Sequence, residues 1–530
     1  MIWRFTLAPD SDAAETLLLI DAKAIFLLSH ALLGAALGFR SQVKGLAVLI
    51  AVVATTTSLS WHVGWGHLPA IHLYALGLFV GTGVYEITHR NSEVRPGRNE
   101  LPRPLAICVA LVFLTFLTAS VVSAFRVRLP WSPTPDLPWG SVARDLLTYY
   151  PSGLAGRLQA TYVALMGPAL FLMTVRYVVA ARDRRLIRNA FACALLIAIL
   201  GPVLQFAISD PWVRSDTGTT ALGVSGFFHD THSFAAYLVL GISITLGVAI
   251  GWAASGSRGY SAASFMLAIA AGVVLLYTNS RGGLLAMLGS VLVLAALVVT
   301  FPRSRRADGK PSWVQATCII VILSIVLLST LLITSPSSRD AAHEQLVKLG
   351  NPRMWEFLRS DLEIQSMATY EIRVALWEKA IGLIQQRPLW GVGPQMFYET
   401  DWPLTRADGT PLRVDVRLTQ HPHNYYLQIA AENGLPALAA YVLLVAGVFI
   451  MIGRAVWTAP DPLQRGMIAG IAAGQVGVVA CALVSHPFLL AELQVAYWSL
   501  AGLGVTTALS NSPGTSLETR RPADLSCGSP

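Results

Sequence analysis

Apolar runs long enough to cross a bilayer recur along almost the whole chain, and they decide the solvent in which it folds. A helix needs about 20 apolar residues to span roughly 30 Å of hydrocarbon. Such runs lie near residues 17–38, 43–61, 68–88, 104–124, 157–180, 187–207, 234–253, 260–278, 282–301, 314–334, 435–455 and 464–485, with a further run near 489–509. With 54% hydrophobic and 13% charged residues and a mean hydropathy of +0.56, the chain is too apolar for a soluble protein of this size. Inside hydrocarbon a helix satisfies its own backbone donors and acceptors. The expected fold is therefore all-α, a polytopic transmembrane bundle of about 12 or 13 spans.

The net charge of +8 could point to nucleic acid, but its distribution does not. The basic residues fall in short connections: Arg90, Arg95, Arg98 and Arg103; Arg182, Arg184, Arg185 and Arg188; Arg303, Arg305, Arg306 and Lys310. Smaller clusters at Arg40 and Lys44, Arg258, Arg454 and Arg465, and Arg520 and Arg521 take the same side when the spans are threaded alternately. That is the bias of loops kept in the cytoplasm, so the partner it implies is a lipid bilayer and no nucleic acid. Threading puts three segments outside, 125–155, 208–233 and 335–423, and the C-terminal tail inside. The first span carries Asp21 and Lys23 after an acidic stretch, unlike a cleaved signal peptide, and is expected to stay attached. Cys108, Cys193, Cys318, Cys481 and Cys527 have no metal-type spacing and read as small hydrophobes.

The chain divides into N-terminal spans (1–210), central spans with an outer loop (211–334), an outer loop subdomain (335–423), C-terminal spans (424–510) and a disordered tail (511–530). Within the outer loop, Ser338–Ser366 and Tyr370–Gln386 have helical spacing and are expected along the membrane surface. Arg387-Pro-Leu-Trp-Gly-Val-Gly-Pro394 breaks the second helix and is expected to turn Trp390 toward lipid. Residues 401–420 read as irregular. A short helix then starts at Pro422 and His423, runs to Asn433 and breaks at Gly434. Asn424, Gln428 and Glu432 recur at every fourth position, a polar stripe suited to a sugar chain or to anchoring a helix at the membrane edge.

Arg373-Val-Ala-Leu-Trp-Glu-Lys-Ala380, Pro388-Leu-Trp-Gly-Val-Gly393 and His421-Pro-His-Asn-Tyr-Tyr-Leu-Gln-Ile-Ala-Ala-Glu-Asn-Gly434 together resemble the O-antigen ligase and O-antigen polymerase family of bacterial envelopes. The resemblance extends to Thr278-Asn-Ser-Arg-Gly-Gly283 and Gly226-Phe-Phe-His-Asp-Thr-His-Ser-Phe-Ala-Ala-Tyr-Leu238, so that it covers 215–440. It implies a membrane glycosyltransferase that takes a glycan from an undecaprenyl-diphosphate carrier at the periplasmic face of the inner membrane, with no cofactor. The acceptor it leaves open is a glycan, a lipid A core or a protein. His423 matches the family's catalytic histidine, and an imidazole titrating near neutrality suits the removal of a proton from an attacking hydroxyl. Where the ligase branch carries a second glycine, this chain continues with Ala437, which leans toward polymerase.

A departing lipid diphosphate needs fixed positive charge, which guanidinium groups supply. Arg281 and Arg373 are the first candidates and Arg214 a third. His421, Asn424 and Glu432 are further substrate-binding candidates, as is His232, which reads as a substrate-lining residue rather than half of a zinc site with His229. Glu86, within a span, is expected to be paired internally. A transporter or flippase for a lipid-linked oligosaccharide, a protein O-oligosaccharyltransferase and a non-catalytic scaffold stay open as alternatives.

Overall fold

The computed structural model describes residues 28–53, 62–63, 66–67, 70–89, 99–128, 154–208, 226–228, 230–278, 280–299, 368–400, 402 and 421–510. They form a helical bundle. Its elements are α1 (residues 28–40), α2 (Gln42–Val52), a minimal ribbon of β1 (His62–Val63) and β2 (Gly66–His67), α3 (Ala70–Thr88), α4 (Arg103–Arg128), α5 (Leu154–Tyr177) and α6 (Ala181–Ile208). The central helices are α7 (Thr231–Ala254), α8 (Arg258–Tyr277) and α9 (Arg281–Val299). There follow α10 (Ala368–Gln386), the single turn α11 (Met396–Glu399), α12 (Tyr425–Asn433), α13 (Leu435–Thr458), α14 (Pro462–Cys481), a 3₁₀ turn (Pro487–Leu489) and α15 (Ala491–Ser510).

Among the described residues, eight helices are long and apolar enough to cross a membrane: α3 to α9 and α13. This is fewer than the apolar runs promised, for separable reasons. The run at 314–334 lies outside the described residues, as do the helix expected over 338–366 and nearly all of 401–420. Of the first two runs, residues 28–40 and the 11-residue α2 are described. The last two runs form α14 and α15, 20 residues each, which are mostly buried against other helices. Helices that face protein need no uniform apolar surface, and these carry Gln475, Glu492, Gln494, Thr506 and Thr507 inside.

The core is built around α7, which is apolar on every side and buried along almost its whole length. Its main partner is α14, and small residues set the approach. A Cβ on Gly247 would overlap the carbonyl oxygen of Gly466, and a Cβ on Gly466 would overlap that of Gly247. In a bilayer, where lipid tails are as apolar as leucine, close backbone packing of this kind is what holds helices together. Ser243 Oγ on α7 meets Ser290 Oγ on α9 and donates to Val239 O at 2.6 Å, a polar contact between these two helices inside the bundle. The outward faces of α4, α8 and α13 carry exposed Ile107, Leu114, Met266, Ile269, Leu443 and Ile450, a surface that suits lipid.

The two ends of the bundle differ in charge. Arg40 and Lys44, Arg103, Arg176 to Arg188, Arg258, and Arg454 and Arg465 all lie at one end, where α1, α3, α5, α7 and α13 finish. Glu86 is paired there with Arg176, 3.1 Å away, and accepts a hydrogen bond from Tyr177 Oη. An apolar groove of about 450 Å³ lined by Phe79, Leu172 and Met173 opens beside this pair. The N-termini of α7, α9 and α12 gather at the opposite end.

The α7–α14 contact yields a direct test. Gly247→Ala should lower thermal stability in detergent by about 1–3 kcal/mol, because its neighbour is backbone and cannot yield. Gly453→Ala, with open space around its Cβ, should leave the melting temperature unchanged or slightly raised. Equal melting of both variants would contradict the packing.

Candidate functional site

Three chain segments meet at the end away from the basic connections. The first is the turn after α10. Arg387 and Pro388 end that helix, and Gly391 and Gly393 take φ of 60° and 115°, conformations glycine adopts without a Cβ penalty. The turn is knitted to the far end of α12: Val392 N donates to Ala431 O at 2.9 Å, Gly393 N to Glu432 O at 2.9 Å, and Leu435 N to Pro388 O at 2.7 Å. Leu389, 60% exposed, is the residue this turn offers outward, whereas Trp390 is half-buried. Trp390, expected to face lipid, keeps part of its surface open, and Leu389 beside it is the more exposed of the two.

The second segment is α12 with its lead-in. The expected start at Pro422 and His423 moves to Asn424, which caps the helix by accepting from Tyr426 N and Leu427 N at 3.0 Å each. His423 stands just before the cap with φ of 50°, a left-handed conformation costing a side-chain-bearing residue on the order of 1 kcal/mol. Trp377 Nε1 donates to Pro422 O at 2.8 Å and fixes the lead-in to α10. Tyr425 N is shared between Ala482 O at 2.9 Å and Ser485 O at 3.2 Å, which fixes α12 to the connection after α14.

That connection is the third segment, and it carries a histidine that the motif reading missed. His486 lies with its ring centroid 4.8 Å from that of His421 and 5.2 Å from that of His423. Gln494 holds the connection in place: its Nε2 donates to Phe488 O at 2.7 Å and to Val163 O at 2.8 Å, and its Oε1 accepts from Gly167 N at 3.1 Å. The latter two atoms are one turn apart on α5 beside Pro168, where the proline removes a backbone donor.

The cap of α7 completes the cluster. Asp230 Oδ2 accepts from Ser233 N at 2.7 Å and Ser233 Oγ at 2.9 Å, and His232 Nδ1 pairs with Ser280 Oγ at 2.8 Å just before α9. Arg281 opens α9 at this same end. Arg373, on α10, is near enough for its charge to be felt at His423 and His486. Arg214 and His229 lie outside the described residues. Arg157, fully buried on α5, also belongs to this end: a Cβ on Gly393 would run into its guanidinium.

The polar stripe of α12 turns inward. Glu432 is buried and its Oε1 accepts from Phe397 N at 3.4 Å. Burial pushes its carboxyl up to about 7, against the backbone N–H groups of Gln395 and Phe397 and the Gln428 amide. Gln428 Nε2 reaches both Glu432 Oε2, at 3.5 Å, and His421 Nδ1, at 3.2 Å, so the stripe links His421 to the turn after α10.

Burial dominates the electrostatics of the imidazoles. It lowers His423 from 6.5 to about 3, assisted by the charges of His486, Arg373 and His232 and opposed by Asp230. His421 is likewise lowered to about 3 by burial, with His423 adding to the effect and Asp230 opposing it. Burial also lowers His486, with His421, His232 and Arg373 acting the same way and Asp230 the other. Burial alone would raise Asp230, but the charges of His232 and His486 and the hydrogen bonds from Ser233 keep it ionised, below the usual carboxylate value. Neutral imidazoles beside one carboxylate and a guanidinium can take up a proton, bind hydroxyl groups and hold an anion. Among the described residues, no group of three or more His, Cys, Asp and Glu side chains is arranged to hold a metal ion.

Fold and site together define a polytopic helical membrane protein with a histidine-centred polar cluster at one end of its bundle. Residues 263–442, about a third of the chain, match the family described as O-antigen ligase. The matched stretch contains Arg281, Arg373, His421 and His423 and stops short of Asp230, His232 and His486. No curated protein matches the chain.

The three lowered histidines set the direction of the acid response. They stay neutral in the folded protein down to about pH 3 but protonate near 6.5 once unfolded. Their contribution is complete above about pH 7 and is lost as pH falls from 6.5 toward 3. The melting temperature should fall between pH 7.5 and pH 5, and fall less in a His421→Asn variant; a flat profile in the parent protein would contradict the burial of these rings.

Proposed function

We propose that the protein transfers a glycan from a polyprenyl-diphosphate donor, the undecaprenyl carrier of bacterial envelopes, to an acceptor hydroxyl at the periplasmic face of the inner membrane. The reading rests above all on one observation: His423, held neutral in a left-handed conformation beside Arg373, at the end of the bundle away from the basic connections. Loops rich in arginine stay in the cytoplasm, which supports an outward-facing cluster.

In this mechanism His423 accepts the proton of the acceptor hydroxyl as its oxygen attacks the anomeric carbon. The new bond is oxygen to anomeric carbon; the bond that breaks joins that carbon to the diphosphate oxygen, which keeps the electron pair. The products are the extended glycan, the lipid diphosphate and one proton on His423, and attack opposite the leaving group inverts the anomeric centre. Arg373 and Arg281 hold the diphosphate as negative charge builds, without a metal, because bidentate guanidinium contacts supply the charge. The first turns of α7, α9 and α12 add helix N-termini, whose N–H groups favour anions. His232 and Asn424 line the sugar path and His421 and Glu432 fix the lead-in. Arg214 is kept as a third diphosphate contact. We favour a polymerase acceptor, another lipid-linked glycan, over a lipid A core or a protein.

The test is release of polyprenyl diphosphate from a lipid-linked glycan by the full-length protein in vesicles. His423→Ala should lower turnover on the order of 100- to 10,000-fold while retaining the parent melting profile. Arg373→Lys should retain more turnover than Arg373→Ala, because a lysine keeps the charge but not the fork. Movement of the donor across the bilayer with no bond cleavage, or unchanged turnover in His423→Ala, would overturn the proposal.

A further inference from the structure

Among the described residues four imidazoles stand in the cluster, and two of them are hydrogen-bonded through a ring nitrogen. His232 Nδ1 is paired with Ser280 Oγ at 2.8 Å, and His421 Nδ1 with Gln428 Nε2 at 3.2 Å. His423 and His486 make no hydrogen bond through either ring nitrogen among the described residues; in both, Nδ1 is enclosed by protein. Each of these two residues is half-buried as a whole, which leaves the Nε2 edge as the open side of the ring. Two adjacent imidazoles with centroids 5.2 Å apart thus each keep a nitrogen that no described residue uses.

Buried or half-buried polar atoms are normally satisfied, and a pair left unsatisfied side by side calls for a ligand with two polar groups at matching spacing. Neighbouring hydroxyls of a sugar ring have that chemistry. Each hydroxyl donates and accepts, so it serves an imidazole in either tautomer. Two imidazoles whose centroids stand 5.2 Å apart are within reach of a pair of adjacent hydroxyls, each hydrogen bond adding about 2.8 Å. A lone serine hydroxyl would satisfy one ring and leave the other stranded, which costs the desolvation of that group.

We propose that His486 is a specificity-determining residue that binds the acceptor hydroxyl adjacent to the one attacking from His423, so that the acceptor is a carbohydrate diol rather than an isolated hydroxyl. The inference rests on the glycan-transfer reading above and narrows its acceptor. His486 forms no covalent bond and takes no proton in the step. The groups that face it are His421 and His423 from the lead-in to α12, Asp230 and His232 from the cap of α7, and Arg373 from α10.

The experiment uses the full-length protein in vesicles with a lipid-linked glycan as donor and three acceptor probes: the same glycan with its terminal diol free, that glycan lacking the hydroxyl adjacent to the linkage position, and a serine peptide. His486→Ala should raise the acceptor KM about tenfold, the worth of one hydrogen bond, with kcat and its pH profile within about twofold to threefold. His486→Asn, which keeps a hydrogen-bonding group, should recover most of the loss. With the deoxy acceptor His486→Ala should cost nothing further, a non-additive cycle that a merely structural role would not produce. An additive cycle, an unchanged KM, a variant that fails to fold even as Asn, or efficient use of the serine peptide would overturn the assignment of His486. Those outcomes leave the transfer reading standing provided His423→Ala is inactive; an active His423→Ala, or no transfer by the parent protein, fails that reading instead.

Discussion

The site depends on where one backbone amide is spent. Tyr425 N–H, at the first turn of α12, points to the carbonyls of Ala482 and Ser485, so the short helix is clamped to the connection that carries His486. The other end of α12 is clamped by the carbonyls of Ala431 and Glu432 to the turn after α10. A nine-residue helix has too few internal hydrogen bonds to hold itself in water. Here its two ends are fixed by neighbours, and its lead-in, with His421 and His423, is carried to a defined position over the ends of α7 and α9.

Electrostatics follows from that position. Imidazoles brought together under cover of protein favour the neutral form, since protonating one would place a charge in a poorly hydrated site beside Arg373. Asp230 is the counterweight. Anchored by Ser233, it gives the cluster one negative charge and so makes transient protonation affordable. The basic connections at the opposite end of the bundle are too far to contribute: α7 and α13 are 24 residues each, about 36 Å of helix. Among the described residues, the cationic side chain felt at the imidazoles is therefore that of Arg373, on the same end of the bundle.

Much of this was legible from residue pattern. Long apolar runs and the placement of arginines read directly as helices and ends, because lipid permits few alternatives. The histidine-bearing segment could be singled out because polar groups are scarce near spans. Other parts were hidden for physical reasons. His486 sits alone between two apolar helices, and no local spacing ties it to His421, 65 positions earlier by number; only the clamp of Tyr425 on Ala482 brings them together. Asp230 lies within the Gly226–Leu238 string, but nothing in that string shows that the carboxylate which caps α7 also faces His486. Eight described helices qualify as spans by length and composition; α14 and α15, read as the last two, are helices of span length whose surfaces are largely committed to protein. The start of α12 was misplaced by two residues: Pro422 fits a first turn, but Asn424 has the side chain that satisfies the free N–H groups.

The central claim is that donor diphosphate and reactive histidine share one place. A structure of the full-length protein in lipid nanodiscs with a polyprenyl-diphosphate glycan bound, and no acceptor, measures this directly. The account predicts the diphosphate on Arg373 and Arg281, with the anomeric carbon facing His423 across a gap that one hydroxyl could fill, about 3 Å on either side. A headgroup seated instead among Arg182, Arg184 and Arg188, or in the groove beside Phe79 and Glu86, would contradict it.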